Sequence, residues 1–338
     1  MSKAADIIKD LRKKKIDVSS LSDEDSPCKV SSWLSTGCIT LDSIMGGGLP
    51  LGRIVEIYGD PSSGKSLIAA QAAAIAQEDG VIVAYADTET AVSIEMMEML
   101  GVNVDELIYA SPDTVEDVFT FFEETMNSRL ENAPDSKLLL IWDSIAATSS
   151  DTEMENEYGK ATMGIHARLI SQGLRKMARI ISKDKVAVLL MNQTRQKLGV
   201  MFGDDKATFG GKAVSFHSSI RVQLDISKKI VIPKANKKGK KVIGMNTRAV
   251  CVKNKLHIPF QDVVLPIYFG HGVDDALSAF YYLEDHDLIT SHGPSKHMDL
   301  EGKTLKFQKT SWSDIFDKNY DQIADIIMNI GNEEITEE

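Results

Sequence analysis

The chain has 338 residues, 43% of them hydrophobic and 26% charged, with a formal net charge of −11. That length and composition suit one large α/β domain with smaller appendages, and the acid excess argues against coating nucleic acid with the whole surface, though not against a local basic track. No apolar run approaches the ~20 residues of a membrane span, Met1–Asp10 lacks the apolar core of a signal peptide, and Cys28, Cys38 and Cys251 form no CxxC pair, a usage that points to a reducing, cytoplasmic setting.

Residues 2–15 read as a short helix with a basic end, Arg12-Lys-Lys-Lys15, and residues 17–27 as a polar linker. Arg53–Tyr58 then has strand character and Leu67–Ala76 helical character. Between them stands Gly59-Asp60-Pro61-Ser62-Ser63-Gly64-Lys65-Ser66, the phosphate loop G-x-x-x-x-G-K-[S/T] in its strand–loop–helix context. Gly59 and Gly64 allow backbone N–H groups to turn toward phosphate oxygens. The helix N-terminus adds the positive end of its dipole. Lys65 supplies a fixed charge to the β- and γ-phosphates, and the Ser66 hydroxyl suits Mg²⁺. A chance glycine-rich turn is the competing reading, and the flanks speak against it. Residues Gly59 to Leu67 are therefore expected to bind a nucleoside triphosphate.

Val81–Tyr85, Leu138–Trp142 and Val186–Met191 are continuous apolar runs separated by helical stretches, the pattern of a parallel sheet covered on both faces. Ile220–Leu224, Thr247–Val252 and Val263–Phe269 follow with shorter connections and are expected to extend the sheet with antiparallel strands. From about Asp274 the pattern becomes that of a small mixed module. The expected division is 1–33, a large core over 34–270, a small C-terminal α+β domain over 271–330, and an acidic tail over 331–338.

Ligands of open α/β sheets sit at the carboxyl ends of the strands. Asp143 and Ser144 end one run, and Asp143 is placed to support a nucleotide-bound Mg²⁺. Asp87 and Glu89 end another; Glu89 reads either as a general base for attack on the γ-phosphate or as a surface carboxylate at a strand end. Asn192 and Gln193 end a third, where an amide either senses the γ-phosphate or belongs to a turn. Thr194–Gly211 is a long loop by composition, with Arg195, Lys197 and Phe202 suited to the phosphates and bases of a single strand. A second loop, Asp151–Met163, is acidic. In the helix that follows, Arg168, Ser171, Gln172, Arg175 and Arg179 share one face and Ile170, Leu174, Met177, Ala178 and Ile181 the other. The polar face reads as a phosphate-binding stripe or as a solvated surface. Lysines crowd the segment 228–241, read as a loop.

Together these pieces resemble one family, the RecA-type DNA strand-exchange proteins of bacteria and bacteriophages. The resemblance spans about Val30 to Phe269. It rests on Ser35–Ser43, Gly48–Gly59, the phosphate loop, Ser111–Thr114, Met163-Gly164-Ile-His-Ala-Arg168, Asn192-Gln193, Gly199–Gly203, Gly210-Gly211 and Val252-Lys-Asn-Lys255. It implies a RecA-like P-loop ATPase core with a mostly parallel central sheet flanked by helices. It also implies ATP and Mg²⁺ as cofactors, DNA-dependent ATP hydrolysis, head-to-tail helical filaments on single-stranded DNA, and pairing and strand exchange with duplex DNA. The setting would be the cytoplasm of a bacterium or phage-infected host, with no membrane partner. By the same resemblance Glu89 is the catalytic glutamate, Asp143 the Walker B aspartate and Gln193 the γ-phosphate sensor. Met163–Lys176 and Arg195–Gly211, with Lys212 beside them, match the segments that hold single-stranded DNA. Lys253 and Lys255 match the pair that reaches the neighbouring subunit's ATP, and Phe216 matches an interface aromatic. The N-terminal helix and Val30–Trp33 would dock on the next subunit.

Three departures stand out. An Asp and a Tyr that frame adenine in the bacterial proteins align with Ser93 and Met96, the segment at Glu89 reads Thr-Glu-Thr, and 228–241 is unusually basic. A ring helicase or autokinase of the same superfamily, and a non-catalytic ATP-gated DNA-binding scaffold, are the alternatives. The paired lysines, the Gly210-Gly211 hinge and intact Lys65, Glu89, Asp143 and Gln193 favour a filament-forming ATPase.

Overall fold

The computed structural model describes residues 3–16, 18, 20–23, 26, 28–155, 163–182, 184–196, 206–234, 239–293, 295–300 and 302–333. Its elements in chain order begin with α1 (Lys3–Lys13), β1 (Trp33–Leu34), α2 (Ile39–Met45), β2 (Leu49–Pro50), β3 (Ile54–Gly59) and α3 (Lys65–Glu78). Next come β4 (Ile82–Asp87), α4 (Ile94–Met99), β5 (Ile108–Ala110), α5 (Val115–Asn132), β6 (Leu138–Asp143), α6 (Asp151–Glu155), α7 (Met163–Ile181), β7 (Val186–Gln196), β8 (Lys206–Thr208) and α8 (Lys212–His217). The chain continues with β9 (Ile220–Pro233), β10 (Lys240–Asn254), β11 (Asp262–Tyr268), β12 (Gly272–Val273) and α9 (Asp275–Asp285). It ends with β13 (Ile289–His292), β14 (Ser295–Leu300), β15 (Lys303–Phe307), α10 (Trp312–Lys318) and α11 (Tyr320–Glu333).

One ten-stranded sheet organises the molecule, in the order β12-β11-β10-β9-β3-β7-β6-β4-β5, with β8 paired to the end of β7. The strands β9, β3, β7, β6, β4 and β5 run parallel, whereas β10, β11 and β12 are antiparallel. The apolar runs of the sequence are the strands buried on both faces. Successive residues of β6 alternate between two cores: Leu139 and Ile141 join the one that contains α2, α3 and α9, and Leu138, Leu140 and Trp142 join the one under α5 and α7. Alanines at 69, 70, 72, 73, 74 and 76 keep α3 close to the sheet. Thr114 caps α5 by accepting from Asp117 N at 3.2 Å, and Asp274 caps α9 by accepting from Leu277 N at 2.9 Å.

The C-terminal elements comprise α9, the antiparallel sheet β13-β14-β15, α10 and α11. They share the first core: Phe280, Trp312, Phe316, Ile323 and Ile327 are buried with residues of α2 and α3. Asp275 Oδ1 accepts from Ile39 N at 2.8 Å at the start of α2, and Ser43 Oγ donates to Ile327 O at 3.0 Å.

Three expectations change. Ile220–Leu224 does not add antiparallel to its neighbour; it runs parallel to β3, because α8 carries the chain back across the sheet before β9 begins. The Thr194–Gly211 segment is not loop throughout, since Thr194, Arg195 and Gln196 continue β7 and pair with Thr208, Ala207 and Lys206. Within the lysine-rich 228–241 segment, residues 228–233 and 240–241 belong to the β9–β10 ribbon, with Lys241 opposite Ile232 and Lys240 opposite Pro233. The β-branched triplet Ile230-Val-Ile232 carries strand character that the surrounding lysines obscure. Trp33, at the end of the Val30–Trp33 segment, pairs with Pro50. Lys197, Phe202 and the Gly199–Gly203 motif, residues 156–162, Lys237 and Lys238, and the end of the acidic tail lie outside the described residues.

Candidate functional site

The sheet brings four functional segments to one edge. Gly59 lies opposite Gln193 in the β3–β7 pairing and Asp87 opposite Asp143 in the β4–β6 pairing, all at carboxyl ends of parallel strands. The phosphate loop fills this edge. Gly59 runs against β9, where an added Cβ would sit 2.4 Å from Leu224 O. Gly64 adopts φ +99°, and its Cβ would sit 2.4 Å from Ile267 Cδ1, so both glycines are obligatory. Lys65 is 7% exposed, and its ammonium donates to Gly59 O at 3.2 Å and Asp60 O at 2.9 Å. Burial lowers its pKa, while Asp143, Glu89 and Asp60 oppose the shift. The buried Ser63 hydroxyl has no hydrogen-bond partner among the described residues. A charge-bearing cradle with an orphaned hydroxyl fits a triphosphate.

Asp143 is buried and accepts from Tyr85 OH at 2.8 Å. Burial raises its pKa, and hydrogen bonds from Ser66 and Tyr85 pull it back. Ser66 and Asp143 are thus neighbours, as a Mg²⁺ site requires. No cluster of three or more His, Cys, Asp or Glu that could hold a metal occurs among the described residues.

Glu89 is exposed, and its Oε1 accepts from Ser144 Oγ at 2.6 Å and Gln193 Nε2 at 2.9 Å. Asp87 has a different role. Its carboxylate accepts from the N–H groups of Glu89, Ala91 and Val92 at 3.0–3.1 Å and from Tyr109 OH at 3.1 Å. It folds the loop that presents Glu89. Asn192 is also structural: its amide donates to Glu56 Oε1 and Phe209 O, both at 2.9 Å. Glu56 is fully buried in mid-sheet and paired with Arg221, its register partner. Of the two amides, Gln193 alone reaches Glu89. The next residue, Thr194, donates its hydroxyl to Asp60 of the phosphate loop.

Arg168, Gln172, Arg175 and Arg179 of α7 are exposed and Ser171 is half-buried, whereas Ile170, Leu174, Met177 and Ile181 are buried; Ala178 is half-buried. Met163 opens the helix and Gly164 is exposed. Arg168, Ser171 and Arg175 line one groove with Gly210, Lys212, Phe216 and His217. Gly211 precedes α8 as its N-cap. Arg195 stands on the neighbouring hairpin, its guanidinium 5.2 Å from the centroid of Phe209. His217 is an addition that the sequence did not suggest. Burial lowers its pKa, and Arg175, Lys255 and Lys253 push the same way.

Lys253 and Lys255 sit away from this chain's own phosphate loop. Lys253 pairs with Arg221, which lies opposite Glu56, three residues short of Gly59, a separation of ~10 Å along the strand. The Lys253 ammonium donates to Ser215 O, Phe216 O and Ser218 O at 2.6, 3.3 and 2.7 Å, and burial lowers its pKa to about 8. Lys255 is less tied: it reaches Phe216 O at 3.5 Å and lies 5.9 Å from the Phe216 ring centroid. Phe216 itself is 70% exposed.

Tyr85 and Thr194 complete the site beyond what the sequence supplies, while Ser144 and Asp87, already placed at strand ends, hold the Glu89 carboxylate and its loop. A strand-end alternation places Tyr85 diagonal to Asp143, a signal present in the sequence once the β4–β6 pairing is known.

This fold and this edge define the phosphate-loop class of α/β proteins. Comparison with known proteins narrows it. The model of the RecA N-terminal domain matches residues 3–274. Protein RecA of Geobacter sulfurreducens is 44% identical over 241 residues, 71% of this chain and 68% of that protein. Protein RecA of Clostridioides difficile is 40% identical over 261 residues, 77% of this chain and 72% of that protein. The chain belongs to the RecA family, the recombinases of homologous recombination and DNA repair. Among the described residues no helix is long and apolar enough to cross a membrane.

Proposed function

We propose that this chain is a DNA-dependent ATPase that forms helical filaments on single-stranded DNA, then engages duplex DNA and exchanges strands. The observation that carries the reading is the Gln193–Glu89 hydrogen bond beside the phosphate loop, because Gln193 also begins the strand end that becomes the β7–β8 hairpin. One residue therefore touches the candidate base and the candidate DNA-binding segment.

Mg²⁺-bound ATP supplies the phosphoanhydride bond and the charge that the site neutralises. Lys65 and the loop N–H groups hold the phosphates, with Ser66 and Asp143 at the metal side. Glu89 accepts the proton of an attacking water, and Ser144 and Gln193 fix the carboxylate that does so. Lys253 and Lys255, too far to serve their own loop, suit a neighbouring subunit's triphosphate. A head-to-tail association of that kind propagates as an open helix. The α7–α8 groove and Arg195 hold the single strand. The β9–β10 ribbon suits the duplex: Ile226 to Ile243, its distal part, carries seven Lys residues and no Asp or Glu. The ribbon extends from the same sheet edge as the β7–β8 hairpin, with only β3 between β9 and β7.

The test is ATP hydrolysis with and without single-stranded DNA, alongside negative-stain microscopy with a slowly hydrolysed ATP analogue. DNA-stimulated turnover with helical filaments is expected, and both should vanish in Lys65→Ala. Closed rings would instead favour a helicase or autokinase, and DNA binding without hydrolysis a scaffold.

A further inference from the structure

Two strand-end carboxylates beside α3, Asp87 and Asp143, each take a tyrosine hydroxyl. Tyr85 OH donates to Asp143 Oδ2 at 2.8 Å, and Tyr109 OH donates to Asp87 Oδ2 at 3.1 Å. The strand register explains both. Tyr85 stands opposite Ile141, and Tyr109 stands opposite Tyr85. Each tyrosine therefore reaches the residue two further along the neighbouring strand, on the same face. The two carboxylates differ in what else holds them. Asp87 has three loop N–H groups besides its tyrosine. Among the described residues the Asp143 side chain has hydroxyl donors alone, Tyr85 from β4 and Ser66 from the first turn of α3.

A carboxylate in this place needs an anchor. The last torsion of an aspartate is broad and roughly two-fold, so its carboxylate plane turns easily. The surrounding charges pull Asp143 unequally: Lys65 attracts it, while Glu89 and Asp87 repel it. Mg²⁺ demands near-ideal octahedral geometry, so a carboxylate at the metal side has one useful orientation. Tyr85 supplies the fixed reference. Its ring is fully buried in the core shared with α3, where close packing leaves the hydroxyl little freedom. The Asp143 backbone is tied to the end of the same strand, Thr88 N donating to Asp143 O at 3.0 Å. Hydrogen bonds to an ionised acceptor are also the strong ones.

We infer that Tyr85 is a positioning residue of the nucleotide site: its hydroxyl holds the Asp143 carboxylate beside Ser66 in the orientation that serves a Mg²⁺-bound triphosphate. The inference rests on the phosphate-loop reading above and adds the residue that aims its metal-side carboxylate. The strand β4 then sets both sides of the reaction, Tyr85 through Asp143 and Asp87 through the loop that presents Glu89.

The test compares the wild type with Tyr85→Phe, which keeps the ring in the core and removes only the hydroxyl. Binding of a fluorescent ATP analogue is followed in EDTA and across a Mg²⁺ series, with hydrolysis over the same series as a second readout. In EDTA the two proteins should bind alike, since Lys65 and the loop N–H groups are untouched. With Mg²⁺ the variant should need about tenfold more cation for half-maximal binding, the scale on which hydrogen-bond partners of metal-holding groups act. Saturating Mg²⁺ should restore most of the turnover. Adding Tyr85→Phe to Asp143→Asn should change the cation dependence no further than Asp143→Asn alone, because one residue acts through the other. An unchanged cation dependence in Tyr85→Phe overturns the inference, as does a turnover deficit that no Mg²⁺ concentration relieves. Weakened binding in EDTA also overturns it, making Tyr85 a support of the loop's fold, and additive effects in the double variant do the same. Each of those results leaves the phosphate-loop reading intact. Failure of the wild type to bind the analogue with or without Mg²⁺ removes that reading, and this inference with it.

Discussion

Gln193 Nε2 lies 2.9 Å from Glu89 Oε1, the same oxygen that takes the Ser144 hydroxyl at 2.6 Å. Gln193 thus has two alternative acceptors when a triphosphate binds, the carboxylate it holds here or a γ-phosphate oxygen. On the proposed reading the choice would reach Thr194, which is itself bonded to Asp60 of the phosphate loop. A coupling residue biases a segment only by distinguishing two ligand states. Gln193→Ala should therefore abolish the gain in single-strand affinity that ATP gives over ADP while each ligand still binds. Fluorescence anisotropy of labelled single strands with ADP and with a slowly hydrolysed ATP analogue measures this. A full ATP-induced gain in the variant would assign the coupling to another route, such as the subunit interface.

Glu89→Gln keeps the side-chain shape and an acceptor for Ser144, but an amide does not take a proton from water. Hydrolysis should slow by roughly 10²–10⁴, the usual contribution of a general base, with nucleotide binding and filaments retained. Asp87 is not a substitute base, because its oxygens are spent on the loop N–H groups. A fall in turnover of less than about threefold, far under that range, would make Glu89 a bystander.

The parts of this site that were legible in the sequence are those carried by one stretch of chain. Gly59–Ser66 declares itself because the whole cradle is contiguous, and Asp143 and Gln193 because apolar runs end at them. The partners of those residues are illegible for the opposite reason. Tyr85 meets Asp143, Thr194 meets Asp60 and Arg221 meets Glu56 across separations of 58, 134 and 165 residues. Strand order alone creates those meetings. The same limit applies to the ribbon, where lysine composition suggests a loop and only the β9–β10 pairing shows a strand.

A buried acid pair joins the core to the C-terminal elements and makes stability depend on pH. Burial raises Asp275 to about 7 and Asp42 to about 6, and the Asp42 carboxylate adds to the cost of charging Asp275. Cys38, Asp42, Asp274 and Tyr320 are the titratable groups around Asp275. The folded pKa lies above the unfolded value of about 3.9, so the fold binds the proton more tightly. The contribution is full below about pH 4 and lost as pH rises through 6–7. Asp275→Asn retains an oxygen for Ile39 N and removes the charge. Its melting temperature should exceed that of the wild type at about pH 8 by a few degrees, with the difference closing toward about pH 5. Equal melting temperatures at the higher pH would show that Asp275 is charged in the fold at little cost.

Two basic surfaces should serve two DNA forms, and salt dependence separates them. Lys228, Lys229, Lys240 and Lys241 are exposed on the β9–β10 ribbon, and none has an ion-pair partner among the described residues. No aromatic residue lies between Ile226 and Ile243 to stack on a base, which favours phosphate binding on a duplex over a single strand. A two-stranded ribbon also matches the width of a duplex major groove. The α7 arginines face a groove that contains Phe216 and His217, rings of the kind that unpaired bases stack on. Replacing the four ribbon lysines with alanine should flatten the log–log salt dependence of duplex binding by about 0.9 for each phosphate no longer neutralised, and leave the single-strand slope alone. Replacing Arg168 and Arg175 should flatten the single-strand slope by about 0.7 for each phosphate released. The alternative role for the lysines is protection, since charged side chains on free strand edges block edge-to-edge association. In that case the ribbon variant would keep its duplex slope and self-associate instead, which sedimentation of the DNA-free protein would reveal.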